Sequence, residues 1–305
     1  MFNFRLLLSS ATKYIKDNQP VGITGSLIHS YYWLTSNSND YVYSIPYFKP
    51  KDNDEGAAIY CIHGTADYPY SLARIAERLI AKGGLKNINS ITLVSFTKRY
   101  RGRSIDDFSE EFLEKIKVNK HKKIIIIGHS RGGLVAAKTA LEAAKHGIEV
   151  AAVIALGTPF NGSYLALPPL SSLSASVKQM EIGHEFLKNL AEEVSKSTIP
   201  HYFMIAEHDE IVPSGAFIKA CVEANPLSMT VFPRHTHLSL VSSHKLIAKI
   251  HAIITGKNLA EVNPTLVDEG GYEEDLFGFF SGNDLEVVQE SVPEPGDEQD
   301  CSPTI

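Results

Sequence analysis

The chain has 305 residues, 44% of them hydrophobic, and a formal net charge of −6. That is enough apolar material for one large α/β domain with a sizeable core, and no apolar stretch approaches the roughly 20 residues that span a bilayer. Cys61, Cys221 and Cys301 are far apart and odd in number, which argues against a disulfide framework or a cysteine metal site and for a reducing compartment.

Residues 1–56 are the least regular part. Leu6-Leu7-Leu8 is too short for a secretory core, so the default compartment is the cytoplasm. Phe2 to Asp17 reads as an amphipathic helix, and Tyr41–Phe48 as a strand with an edge-type Pro46. From Ala57 the pattern becomes periodic. Strands are expected at Ala57–Ile62, Ser90–Phe96, Lys123–Ile127, Val150–Leu156, Tyr202–Ala206 and Met229–Phe232. Helices are expected near Ser71–Lys82, from Ser104 to Val118, over Ser130–His146, near Ser214–Ala224 and over Leu238–Ile254. Ser104-x-x-Asp107 is a capping-box start with Asp in place of Glu, and Gly147 supplies a helix stop. Continuous apolar strands alternating with helices indicate a mostly parallel sheet covered by helices on both faces. Right-handed crossovers then gather the strand-to-helix loops, and the ligand site, along the carboxyl edge. Between Leu156 and His201 lie 44 residues in place of one crossover helix. Phe160–Ser172 is rich in Pro, Gly, Ser and Leu, and Ala175–Val194 reads as helix, so about 160–198 is expected to form a cap-like insertion over that edge.

Gly128-His129-Ser130-Arg131-Gly132 sits between the run Ile124–Ile127 and the helix that begins near Gly133. In that strand–turn–helix context a G-x-S-x-G holds its serine hydroxyl clear of the backbone on a sharp turn. A serine hydroxyl is a poor nucleophile unless a base takes its proton and a carboxylate orients that base. Both types follow on later strand-end loops. Glu207, Asp209 and Glu210 come after the strand ending at Ala206, and His235 and His237 after the strand ending at Phe232. The residues alone leave the choice within each set open. His208 beside two carboxylates has no companion ligand set for a metal.

Five stretches in order carry a family resemblance: Cys61-Ile62-His63-Gly64-Thr65, Gly128–Gly133, Leu156-Gly157-Thr158-Pro159-Phe160-Asn161-Gly162-Ser163, Asp209-x-x-Val212-Pro213 and His237-Leu238. Over about residues 55–256 the chain resembles the lipase-like α/β-hydrolases, akin to small bacterial triacylglycerol lipases and GPI-inositol-deacylase-type hydrolases. The resemblance implies the α/β-hydrolase fold, with Ser130 as nucleophile, Asp209 as triad acid and His237 as base. It also implies an oxyanion hole made by the backbone N–H groups of Thr65 and Arg131, a role that constrains the Arg131 side chain weakly. His63 is expected to orient the oxyanion loop, His129 to pack beneath the elbow, and His244 to lie on a helix surface.

The function expected is hydrolysis of carboxylic esters through an acyl-enzyme, on lipid-like acyl esters, with no metal or organic cofactor. Leu165, Leu167 and Leu170, with Leu173, are candidates to line an acyl site; packing the insertion onto the body is the competing role. Acyl transfer or thioester hydrolysis by the same triad is the nearest alternative, and a non-catalytic hydrolase-like interaction protein the more distant one. Lys98–Arg103 is a short basic cluster on the active-site side; it is a solvated loop or a holder of a phosphate head group, and no nucleic-acid signature. Domain organisation follows from charge. Residues 257–305 carry 13 acidic residues and one Lys, whereas residues 1–256 carry 28 basic and 22 acidic. We read 1–256 as the hydrolase domain and 257–305 as an acidic, mobile tail. Leu276–Phe280 is an aromatic cluster that docks on the body or on a protein partner, and the acidic composition either serves as a solubilising tail or resembles the C-terminal export signals of secreted bacterial effectors. Transient contact with a membrane surface is expected of an enzyme that draws acyl chains from one.

Overall fold

The computed structural model describes residues 21–49, 55–97, 102–212, 215–260, 262 and 287–288. The expected N-terminal helix at Phe2–Asp17, most of the basic loop, and Leu276–Phe280 lie outside the described residues.

The strands are β1 (Tyr41–Ser44), β2 (Ala57–Ile62), β3 (Ile88–Val94), β4 (Lys123–His129), β5 (Glu149–Leu156), β6 (His201–Ala206), β7 (Met229–Phe232) and β8 (Val287–Val288). They form one sheet in the order β7-β6-β5-β4-β2-β3-β1-β8. Every pairing from β7 to β3 is parallel. β1 is antiparallel to β3 and to the two-residue β8, which brings part of the acidic C-terminal segment onto the sheet edge.

The apolar strands are continuous because both faces of the sheet are covered. In β2, Ala58, Tyr60 and Ile62 point into one core and Ile59 and Cys61 into the other; in β4, Ile124 and Ile126 alternate with Ile125 and Ile127 in the same way. The period-2 side-chain direction of a strand requires this split. The first face is covered by α3 (Ile105–Val118), α4 (Arg131–Lys145) and α7 (Glu185–Lys196), and the second by α2 (Ala73–Lys82) and α9 (His244–Thr255). The Ser104–Asp107 capping box is formed in both directions.

Some elements differ from the sequence reading. The strand expected at Tyr41–Phe48 ends at Ser44. The helix expected over Ala175–Val194 is broken into α6 (Ala175–Lys178) and α7, with the chain reversing through Gly183 at φ +82°. The helix expected near Ser214–Ala224 is short, α8 at Lys219–Ala224. The one expected over Leu238–Ile254 is a 3-10 turn, Ser239–Ser242, followed by α9. A helix not anticipated, α1 (Val21–Leu34), packs on that 3-10 turn. The short α5 (Leu170–Leu173) completes the insertion.

Candidate active site

Ser130 stands between β4 and α4 with φ 54° and ψ −127°, a conformation that costs a non-glycine residue of order 1–3 kcal/mol and persists only where the surroundings enforce it. They do so here. The Ser130 N–H donates to the Leu156 carbonyl at 2.8 Å and its carbonyl accepts from Gly133 N–H at 3.0 Å. A methyl on Gly132 would lie 2.3 Å from the Ile62 carbonyl oxygen, and one on Gly133 1.8 Å from Thr158 Oγ1. The glycines therefore let α4 start directly against β2 and the β5 loop, which forces the turn and lifts Ser130 off the sheet.

The next strands deliver the other groups. Asp209, after β6, accepts at Oδ1 from the backbone N–H groups of Ile211 (3.0 Å) and Val212 (2.8 Å). That leaves Oδ2 for His237 Nδ1 at 2.8 Å, in a pair whose side chains are each 4% exposed. Of the neighbouring candidates, Glu207 is exposed and caps the backbone N–H of Arg234, Glu210 is exposed, and His208 is an exposed partner of Glu207. His235 is buried with Nδ1 donating to the Pro233 carbonyl at 2.8 Å, and burial lowers its pKa.

His129 lies against the His237 ring, centroids 4.8 Å apart, and its Nε2–H donates to the His237 carbonyl at 3.2 Å. Burial, and then the proximity of His237, hold His129 well below the ordinary histidine pKa. It is a neutral prop for the loop that carries His237. His63 Nδ1–H donates to the Gly64 carbonyl at 3.0 Å. The Gly64–Thr65 loop passes over the serine, since a methyl on Gly64 would lie 3.1 Å from Ser130 Cβ. Arg131 is the first residue of α4, where backbone N–H groups have no intrahelical acceptor. Its side chain does more than the sequence reading allowed. It is buried, stacks over the Phe108 ring at 4.3 Å and donates to Ser176 Oγ at 3.1 Å, fastening α6 of the insertion to α3. His244 is the half-buried first residue of α9 and accepts at Nε2 from Arg74 at 3.1 Å.

These groups open on a cleft of about 540 Å³, within the range of ligand-binding cavities. Ser130, His237, Thr65 and Arg131 line it, as do Leu165, Leu170, Leu173, Val177 and Met180 of the insertion. Leu167 does not; it faces a separate small hollow with Tyr164 and Ile182. Two cleft residues, His29 and Trp33, come from the unanticipated α1, and a third, Asp67, from the loop after β2. Among the described residues no cluster of three or more His, Cys, Asp or Glu could hold a metal ion, and no helix is long and apolar enough to cross a membrane.

A parallel sheet with a serine elbow after β4, a carboxylate after β6 and a histidine after β7 defines the α/β-hydrolase fold. The family model described as PGAP1-like alpha/beta domain matches residues 77–224, just under half of the chain, and includes Ser130 and Asp209 but neither the Gly64–Thr65 loop nor His237. The chain is also similar in fold to the monoacylglycerol lipase of Paleococcus ferrophilus (15% identity, 73% of this chain and 98% of that one, TM-score 0.51). It is similar as well to the propeptide form of the Bacillus licheniformis lipase BlEst2 (15% identity, 72% of this chain and 54% of that one, TM-score 0.51). A looser likeness to phospholipase PlaB of Legionella pneumophila (17% identity, TM-score 0.41) takes in 49% of this chain and spans only 37% of that one. No curated protein sequence matches the chain.

Proposed function

We propose that the protein is a serine ester hydrolase that cleaves carboxylic esters of lipid-like acyl chains through an acyl-enzyme. The observation that carries this reading is the strained Ser130 facing the same cleft as a His237 held by Asp209 at 2.8 Å. His237 takes the Ser130 hydroxyl proton at Nε2 as Oγ attacks the ester carbonyl. Its Nδ1–H stays on Asp209, which fixes the tautomer and offsets the imidazolium charge. The N–H groups of Thr65 and Arg131 receive the oxyanion, a contribution whose loss typically costs about a hundredfold or more in rate. The alcohol leaves with the proton from His237, and water, deprotonated by the same imidazole, releases the acid.

The apolar wall of Leu165, Leu170, Leu173, Val177 and Met180 supports an acyl chain as the acid part. Leu165, Leu170 and Leu173 are each more than half exposed at the cleft mouth, which supports transient contact with a lipid surface. A fluorophosphonate probe tests the chemistry: it should label the wild type and not Ser130→Ala. Absence of labelling on folded wild-type protein would favour the non-catalytic alternative, and product transferred to an added alcohol in preference to water would favour an acyltransferase.

A further inference from the structure

α1 carries apolar side chains on the side that a surface helix gives to charged and polar ones. Gly25, His29 and Tyr32, spaced i, i+4, i+7, are its buried face, and Gly25 meets Ser239 of the 3-10 turn. Leu27, Tyr31 and Leu34 have the same spacing, lie on the opposite face and are exposed, Leu34 to 73%. Ser30 and Trp33 come between the two faces and line the cleft, so the exposed stripe runs beside the cleft mouth.

The insertion repeats this on the other side of the mouth. Leu165, Leu170 and Leu173 line the cleft and are exposed, and Tyr164, Leu167 and Ile182 carry the exposed apolar surface outward. Apart from Tyr47, Val118, Leu227 and Val231, every large hydrophobic side chain exposed among the described residues lies on α1 or on the insertion. Neither Val21–Leu34 nor Val150–Val177 contains an Asp, Glu, Lys or Arg. Such a concentration differs from the single exposed hydrophobics that any surface carries and marks a contact with a protein or a lipid layer.

The cleft decides between those two occupants. A folded partner seated on both sides of the mouth would close it over Ser130, whereas a lipid layer would present acyl chains to the apolar wall. Composition agrees. Tyr31, Trp33 and Tyr164 stand among leucines, and rings with one polar atom favour the headgroup level between water and hydrocarbon. Stretches without charged side chains enter that boundary with no ion to desolvate.

We propose that α1 and the insertion form one two-sided docking surface that seats the cleft mouth on a lipid layer. Leu27 and Leu34 enter the layer on one side, and Leu165, Leu170 and Leu173 on the other. The choice of lipid as the occupant rests on the ester-hydrolase reading above.

Trp33 is the one tryptophan of the chain, so its emission reports docking at the mouth. The test uses the full chain carrying Ser130→Ala, which prevents turnover, and vesicles of phosphatidylcholine. The protein should float with the vesicles, and Trp33 emission should shift to the blue. Leu34→Ser and Leu173→Ser in that background should each weaken partitioning about tenfold or more, the factor that burial of one leucine supplies. The double variant should lose the product of the two, because the residues belong to separate elements. Both leucines are exposed, so each variant should melt within about 1–2 °C of its parent. Folded protein that does not partition would overturn the docking surface. So would partitioning unmoved in either leucine variant; if Leu34→Ser also melted lower, another segment of the chain would be the cover of α1. Binding to anionic vesicles alone, lost in high salt, would assign the contact to charge and overturn it as well, as would self-association without lipid that the same variants abolish. Fluorophosphonate labelling of wild type reads the chemistry separately: labelling without partitioning sinks the docking surface alone, and partitioning without labelling sinks the hydrolase reading alone.

Discussion

Replacing Arg131 by alanine keeps the backbone N–H proposed for the oxyanion hole and removes everything the side chain does. The guanidinium stacks at 4.3 Å over Phe108 and donates at 3.1 Å to Ser176, and the residue is 3% exposed. A desolvated cation–π contact is worth about 2 kcal/mol, and a hydrogen bond from a charged group about 1.5–3 kcal/mol. The void left behind adds to the loss, while relief of desolvating the cation subtracts from it. A net destabilisation of about 3 kcal/mol is expected, which for a chain of this size lowers Tm by about 5–10 °C. The functional effect should be selective, because Ser176 belongs to the insertion that lines the apolar wall. KM for p-nitrophenyl decanoate should rise several-fold, while kcat for p-nitrophenyl acetate should stay within a few-fold of wild type. Urea unfolding of Arg131→Ala, Ser176→Ala and the double variant should give a coupling of about 1 kcal/mol, as for residues in direct contact. A Tm within 1–2 °C of wild type, about the shift that half a kcal/mol gives, together with equal loss on both esters, would refute the reasoning and return Arg131 to a backbone-only role.

Asp209→Asn should keep the geometry but lose the correct tautomer of His237, lowering kcat by about 10⁴, whereas His235→Ala should remain active; the reverse ranking in a p-nitrophenyl butyrate assay would exchange the two histidines. His201 is buried with its pKa lowered from 6.5 to about 4 by desolvation, so the unfolded chain takes up its proton first as pH falls. Stability is therefore full above pH 6.5 and lost between 6.5 and 4, by about 3 kcal/mol from this one group; urea midpoints should drop over that window and drop less in His201→Phe. Lys249 is buried and donates from Nζ to the carbonyls of Leu259 (2.9 Å) and Val262 (3.3 Å). A chain cut after Gly256 strands that ammonium, so it should be about 2 kcal/mol less stable than one cut a few residues past Val262; equal melting of the two would place the end of the hydrolase body at Gly256, as its composition suggests.

What the sequence made legible follows a rule of locality. β2, β4 and β5 are runs whose apolar character is set by burial on both faces, and Ser130, Asp209 and His237 each stand within a few residues of a strand's end, those of β4, β6 and β7. Position along the chain then fixes position on the sheet edge. The length of the insertion was visible for the same reason, although its break at Gly183 was not, since a helical pattern can run on through a glycine in sequence. α1 had no such signal. Its sequence carries Gly22 and Gly25 and shows no polar stripe. Gly25 is there because a methyl would lie 2.5 Å from Ser239 Cβ, so a residue that weakens the helix locally is the one that lets it pack.

The same reasoning explains why the β2 side of the cleft was unreadable. His29 and Asp67 are 38 positions apart, and their pairing depends on how α1 crosses the loop after β2. Neither residue stands in a recognisable motif, and each alone reads as an ordinary polar side chain. Arg131 is the complementary case, because the motif concerns its N–H and is silent on the 3%-exposed side chain. The residues proposed to act at the reacting bond thus stand next to the strand ends. The walls of the cleft are set by contacts between segments, α1 with the loop after β2 on one side and Arg131 with the insertion on the other. On the proposed function, variants at Ser130 should therefore change whether the reaction occurs, and variants at Arg131 which ester it favours.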